Sequence, residues 1–276
     1  MYMKRVDKSI GYEYTINAYY GGYMIKHIVD ILESIKELED QKSNIPPTQL
    51  YNEGWMLRLV LKWFNANTEI NHELSMKKQT RWYSEALLSS RFLPKSQKDK
   101  LSEKHTHADG VYGDFDIVGK GDLLLKENCR QFVVVEAKMF SKYSKGTKNA
   151  PNFNQAARNV ACMCNIVTNS GQKNIDDISF FTIVPEEQIS QEKTFTEYIN
   201  IEHIKKTVLM RINKYNDRSD YQKYLEWYNS FLCFCKKIKI KLFSWEEIIK
   251  YIISNDPDYG NDLNTFYEYC IKYNKK

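Results

Sequence analysis

The chain of 276 residues is sparing with the residues that punctuate or staple a fold: six prolines, eleven glycines and six cysteines. No Pro- or Gly-rich stretch is long enough to act as a linker and no segment repeats, so one domain with elaborations is expected. The cysteines fall at positions 129, 162, 164, 233, 235 and 270, as two CxC pairs with no CxxC. That spacing offers neither a disulfide framework nor a zinc ribbon nor an iron–sulfur site, and free thiols in a reducing cytoplasm fit it best. No apolar run approaches the roughly 20 residues needed to span a bilayer, and MYMKRVDKSIGYEY lacks the apolar core of a signal peptide. A soluble, cytoplasmic protein without a membrane partner is therefore expected. Histidine is also scarce: His105 and His107 stand at i, i+2 with Asp109 nearby, but no third histidine or cysteine cluster joins them, which argues against zinc. The charge balance, 40 Lys and Arg against 35 Asp and Glu, leaves a net +5 that permits a polyanionic partner without demanding one.

What is present is a regular alternation of patterns. In residues 22–41, Ile25, Ile28, Ile31, Leu32, Ile35 and Leu38 recur at helical spacing until SNIPP stops them. Residues 48–66 carry a second stripe, Leu57, Val60, Leu61 and Phe64, with Glu53 four positions ahead of Leu57 on the same face. From WYSEALLSSRFLP to SEKHTHADG the pattern is mixed, with a short helix, a break at Pro94 and a lysine-rich loop expected. Residues 111–138 read as a three-strand meander, VYGDFDIV, GDLLL and QFVVVEAK, with Gly119 and Gly121 at its first turn. A helix over 153–168 follows, with Ala156, Val160, Met163 and Val167 as its apolar stripe, then a buried strand at 178–185. KIKIKLF at 237–243 is a candidate last strand, and Ser244 a candidate N-cap for the helix after it. The expected organisation is α/β: a helical extension over 1–47, a core over 48–185, and a helical region over 186–276 packed on that core.

The stretch QFVVVEAKM, 131–139, is where chemistry enters. Residues i and i+2 of a strand share a face, so Phe132, Val134, Glu136 and Lys138 line one side and Val133, Val135 and Ala137 the other. An acid and a base emerge together at the end of an apolar strand. If GDLLL and QFVVVEAK pair as a hairpin, Asp122 comes beside Glu136. Two carboxylates and the Ala137 carbonyl are hard oxygen donors suited to Mg²⁺, which keeps waters and phosphate oxygens for its other positions. Lys138 beside them could act on the attacking water or stabilise a phosphorane as a cation. Lys142, Lys145 and Lys148 follow in a loop with Gly146, where backbone phosphates could arrive.

Asp122, then Glu136-Ala137-Lys138, within the order helix, meander, helix, strand, resembles the PD-(D/E)XK nuclease superfamily with its restriction-endonuclease-like fold. Glu53 in YNEGWMLR and Gln155 in FNQAARNVA match that family's acidic residue on the first helix and glutamine on the second. Gly121 stands where the name-giving proline would be. The resemblance spans about 48–185. It implies a Mg²⁺- or Mn²⁺-dependent nuclease acting on DNA, with RNA not excluded, in anti-phage defence or DNA processing. In it Asp122, Glu136, Ala137 and Glu53 hold metal, Lys138 acts on water, and Gln155 positions water or phosphate. Members of such families also work as homodimers or beside an ATPase or helicase. The rival readings are a nucleic-acid-binding module without catalysis, and an interaction subunit recruiting partners through the helix at 22–41. Within the residues themselves, Glu136 and Lys138 can also be a solvated pair at a strand end, Asp122 a turn residue, and Asp114 and Asp116 reserve carboxylates.

Overall fold

A computed structural model of the chain describes residues 22–33, 35, 44–94, 96, 99–103, 106–172 and 174–275. The chain divides into two compact units, Met1–Asn52 and Glu53–Lys276. In the first, a helix α1 (Gly22–Glu33) is formed, with Ile28, Val29 and Ile31 exposed; the expected continuation to residue 41 lies outside the described residues except at Ile35, as does His105.

The second unit is α/β. Its elements are α2 (Glu53–Ala66), β1 (Arg81–Leu88), β2 (Thr106–Gly113), β3 (Phe115–Val118), β4 (Asp122–Leu125) and β5 (Gln131–Ala137). Then come α3 (Gln155–Asn169), β6 (Asp177–Val184), α4 (Glu186–Gln191), α5 (Thr194–Tyr198), α6 (Ile201–Asn213), α7 (Tyr221–Phe234), β7 (Lys239–Ser244), α8 (Trp245–Asn255) and α9 (Pro257–Asn274). Seven strands form one mixed sheet in the order β3-β4-β1-β2-β5-β6-β7. The β5, β6 and β7 strands are parallel, while β2 is antiparallel to both β1 and β5. Among the described residues no helix is long and apolar enough to cross a membrane.

β5 and β6 are almost wholly buried because helices cover both faces of the sheet. On one face Phe132, Val134 and Phe180 pack with Val160, Met163, Cys164, Val208 and Phe231 of α3, α6 and α7. Each such side chain contributes about 1.5–3 kcal/mol through burial. On the other face α2 lies so close to β2 that a Cβ at Gly110 would sit 2.9 Å from both Leu57 and Leu61. Glycine is what lets the start of α2 approach the sheet. Asn154 caps α3 by accepting from the Ala157 N–H at 2.9 Å, and Ser244 caps α8 in a full capping box with Glu247, as the sequence suggests.

Two expectations are overturned. The WYSEALL segment is strand β1, not a short helix: it pairs with β2 over nearly its whole length. The three-strand meander does not exist either. β2 begins earlier, at Thr106, and pairs directly with β5, while β3 and β4 form a hairpin carried to the far side of β1. The sheet gains more by pairing the buried Val111-Tyr112 stretch with Val133-Val134 than by placing the half-exposed DLLL strand there.

Candidate active site

β2 and β5 pair as far as Gly110 opposite Val135 and then part. At that divergence the Asp109 carboxylate takes over from the ladder, with Oδ2 accepting the Ala137 N–H at 2.8 Å. Asp109 reaches it through a local change of strand facing. Glu85, between the pairs Ser84 with Gly110 and Ala86 with Ala108, adopts φ +59°. As a result Tyr83 and Ala86, an odd number apart, pack on the same core, and so do Ala108 and Val111. A left-handed non-glycine residue costs on the order of 1 kcal/mol, and kinks of this kind re-aim side chains.

Glu136, fully buried, follows Phe132 and Val134 on the α3 face. Gln155 Nε2 and Lys138 Nζ both bond Glu136 Oε1, in close contact, and Asn159 Nδ2 donates to Oε2 at 2.9 Å. Lys138 Nζ also donates to the Ala137 carbonyl at 3.1 Å and lies 3.7 Å from Asp109. The Lys138 main chain is pinned on both sides: its N–H donates to Ile183 O at 2.9 Å, and its carbonyl accepts from the Trp245 indole at 2.9 Å. Asp109, Glu136, Lys138, Gln155 and Asn159 thus converge on one spot.

Electrostatics follow from burial. Loss of solvent and the nearby Asp109 push the Glu136 carboxyl up to about 8, against the pull of Lys138. Burial alone would lower the Lys138 ammonium, but Glu136, Asp109 and more distantly Glu53 outweigh it, and the net direction is up. Lys138 is therefore held as a cation, which suits the second of its two expected roles, charge stabilisation, better than removal of a proton from water. Burial likewise raises Glu85, with Asp109 and Glu53 adding to it and Arg58 and His107 opposing. Arg58 holds that corner through a 2.9 Å bond from Nε to Ser84 Oγ.

The structure brings together Glu136, Ala137, Lys138 and Gln155 as expected, and Glu53, first residue of α2, is near enough for its charge to act on Lys138. Asp122 is the correction. It lies on β4, opposite Val118 and Leu87, with β1 and β2 between its strand and β5. Asp109 stands where Asp122 was expected. The reserve Asp114 is a structural anion, bonded by the Arg130 N–H at 2.9 Å and by its guanidinium at 2.8 Å. Asp116 is mostly exposed, 3.8 Å from Lys126.

Lys142, Lys145 and Lys148 are exposed on the loop between Lys138 and Asn154, and Lys142 lies 3.6 Å from Glu192. The loop is tied down by buried groups. The Phe140 N–H donates to Gln188 Oε1 at 3.1 Å, Gln188 Nε2 donates to Ser141 O at 2.8 Å, and Tyr143 bonds Thr182. Asn159, Trp245 and Gln188 escape sequence reasoning. Asn159 alone leaves a local trace, as an amide one turn after Gln155 in a face otherwise filled by Ala, Val and Met.

A cleft of about 640 Å³, lined by His72, Glu73, Lys77, Asp177 and Lys241 among others, opens by the opposite ends of β5 and β6 and contains none of these groups. The convergence point lies at the other end of those strands, with Glu136, Lys138 and Asn159 buried and Asp109 and Gln155 partly exposed. Among the described residues no group of three or more His, Cys, Asp and Glu is arranged to hold a metal. The hard donors are two carboxylates and one carbonyl, a set that Mg²⁺ completes with waters and substrate oxygens. The ammonium of Lys138 sits on two of these acceptors, Glu136 and the Ala137 carbonyl. Comparison with family models, curated proteins and solved structures finds no match to the chain.

Proposed function

We propose that the chain is a metal-dependent phosphodiester hydrolase of the PD-(D/E)XK type acting on DNA, with Asp109 in the place first given to Asp122. The observation that carries this is the meeting of Asp109, Glu136 and Lys138 where β2 and β5 part, with the Glu136 carboxyl raised by burial and by Asp109. A fully buried carboxylate beside a second, partly exposed one calls for a cation.

Asp109, Glu136 and the Ala137 carbonyl would hold Mg²⁺ or Mn²⁺. When bound, the ion supplies Lewis acidity toward a phosphate oxygen and a more acidic water. Lys138, kept protonated, stabilises the charge that builds on the phosphorane oxygens. Gln155 and Asn159 hold the Glu136 carboxylate in place. Glu53, whose charge acts on Lys138, borders the site, and the exposed Lys142, Lys145 and Lys148 draw backbone phosphates toward it.

Supercoiled plasmid incubated with 5–10 mM Mg²⁺ tests the reading. Cleavage is expected from the natural chain and from Asp122→Ala, with a loss on the order of 10²-fold or more in Asp109→Ala and Lys138→Ala. No cleavage of plasmid, linear duplex or single strands by the natural chain under Mg²⁺ or Mn²⁺ refutes the enzyme, and full activity in Asp109→Ala refutes the site.

A further inference from the structure

Asn159 is an expensive residue where it stands. It is fully buried in the core face of α3, and its Oδ1 has no hydrogen-bond partner. An orphaned buried acceptor costs about 1–3 kcal/mol, which an apolar side chain of the same size avoids. Its one observed bond is the 2.9 Å donation from Nδ2 to Glu136 Oε2. Gln155, one helical turn earlier, donates to the other oxygen, Oε1. Positions i and i+4 of α3 therefore grip both oxygens of one carboxylate, and the Asn154 cap fixes the turn that presents them.

We infer that Asn159 is a positioning residue that locks the carboxylate plane of Glu136 and so sets the affinity and selectivity of the site for a divalent cation. The inference rests on the metal-dependent reading above. A carboxylate held at both oxygens cannot rotate to follow a larger ion. Mg²⁺, which demands near-octahedral geometry, gains most from that rigidity, and the more tolerant Mn²⁺ gains less.

The test is cation binding to the full chain without nucleic acid, by calorimetry with Mg²⁺ and by electron paramagnetic resonance with Mn²⁺. It compares the natural protein with Asn159→Leu and, as a second variant with more room to relax, Asn159→Ala. Expected is a rise in the Mg²⁺ Kd of at least tenfold in both variants, a rise of threefold or less for Mn²⁺, and a melting temperature in EDTA kept within a few degrees in Asn159→Leu. Equal Mg²⁺ binding by natural and variant chains overturns the role of Asn159 and leaves the hydrolase reading standing. No cation binding by the natural chain overturns both. Equal weakening for the two ions overturns the selectivity. A large loss of melting temperature in both variants, with unchanged binding in the fraction still folded, marks Asn159 as a packing residue and overturns the inference.

Discussion

Replacing Glu136 by Gln should make the protein more stable and inactive at once. The carboxyl is fully buried, and burial with Asp109 beside it pushes it up to about 8 from the 4.5 of a free glutamate. Keeping that proton, or losing it in place, costs the folded state about 3 kcal/mol at pH 7 relative to a chain that ionises freely when unfolded. The sign is that of a raised acid: below pH 4.5 both states hold the proton and no penalty exists, and the penalty grows as pH rises toward 8. Glutamine carries no such cost. Its Oε1 can keep the bonds from Lys138 and Gln155, and its Nε2 can donate to the orphaned Asn159 Oδ1 once that amide turns over. Where Glu136 does ionise, toward pH 8, Lys138 loses an anionic partner in the variant but keeps Asp109 at 3.7 Å, which trims the gain. The expected net is ~1–3 kcal/mol, or about 2–10 °C in Tm for a chain of this size. Thermal unfolding in EDTA at pH 5, 6, 7 and 8 measures it, with the gap opening as pH rises. A variant that melts below the natural chain at pH 8, or a gap indifferent to pH, refutes the reasoning. Adding 10 mM Mg²⁺ should raise the Tm of the natural chain and leave Glu136→Gln nearly unmoved.

Gly110→Ala puts a methyl 2.9 Å from Leu57 and Leu61, so it should cost about 1–3 kcal/mol in denaturant unfolding and, by pushing α2 and Glu53 outward, slow cleavage as well. Trp245→Phe keeps a ring but removes the N–H that holds the Lys138 carbonyl; a stability loss of about 1 kcal/mol with a fall in cleavage rate of roughly tenfold is expected by denaturation and plasmid nicking. Asp114 feels an upward push from burial that its bonds from Arg130 and Gln131 overcome, which holds its carboxyl below the usual range. Its contribution is present above pH ~4 and lost as pH falls through its lowered value. Asp114→Asn should therefore flatten the acid limb of a stability–pH curve while leaving metal binding intact.

Much of the candidate site was legible because strand and helix periodicities are local. The period of two put Glu136 beyond Phe132 and Val134 on one face, and the observed core has that arrangement. The capping signal at Ser244 and the apolar face of α3 were equally local. The wrong partner for Glu136 came from taking sequence neighbours as spatial neighbours. GDLLL precedes QFVVVEAK, yet its Leu124 is 55% exposed, and that strand belongs at the sheet's margin, beyond β1. β1 itself was missed because the left-handed Glu85 breaks its alternation, erasing the pattern that identifies a strand.

By itself the sequence determined the elements that a run of side chains specifies within about one turn: the buried β5, the capped α3, and an acid and base at a strand's end. It also supplied Asp109, but nothing local distinguished that residue from Asp114, Asp116 or Asp122. Only the tertiary structure decided among the four, because the choice depends on which strand pairs with β5 and where the pairing stops. Strand order is set by the burial gained across both faces of a sheet, a sum over residues far apart in the chain. The same is true of Trp245, 107 positions from the carbonyl it holds, and of the upward push on the Glu136 carboxyl, which depends on how completely the other elements exclude water from it.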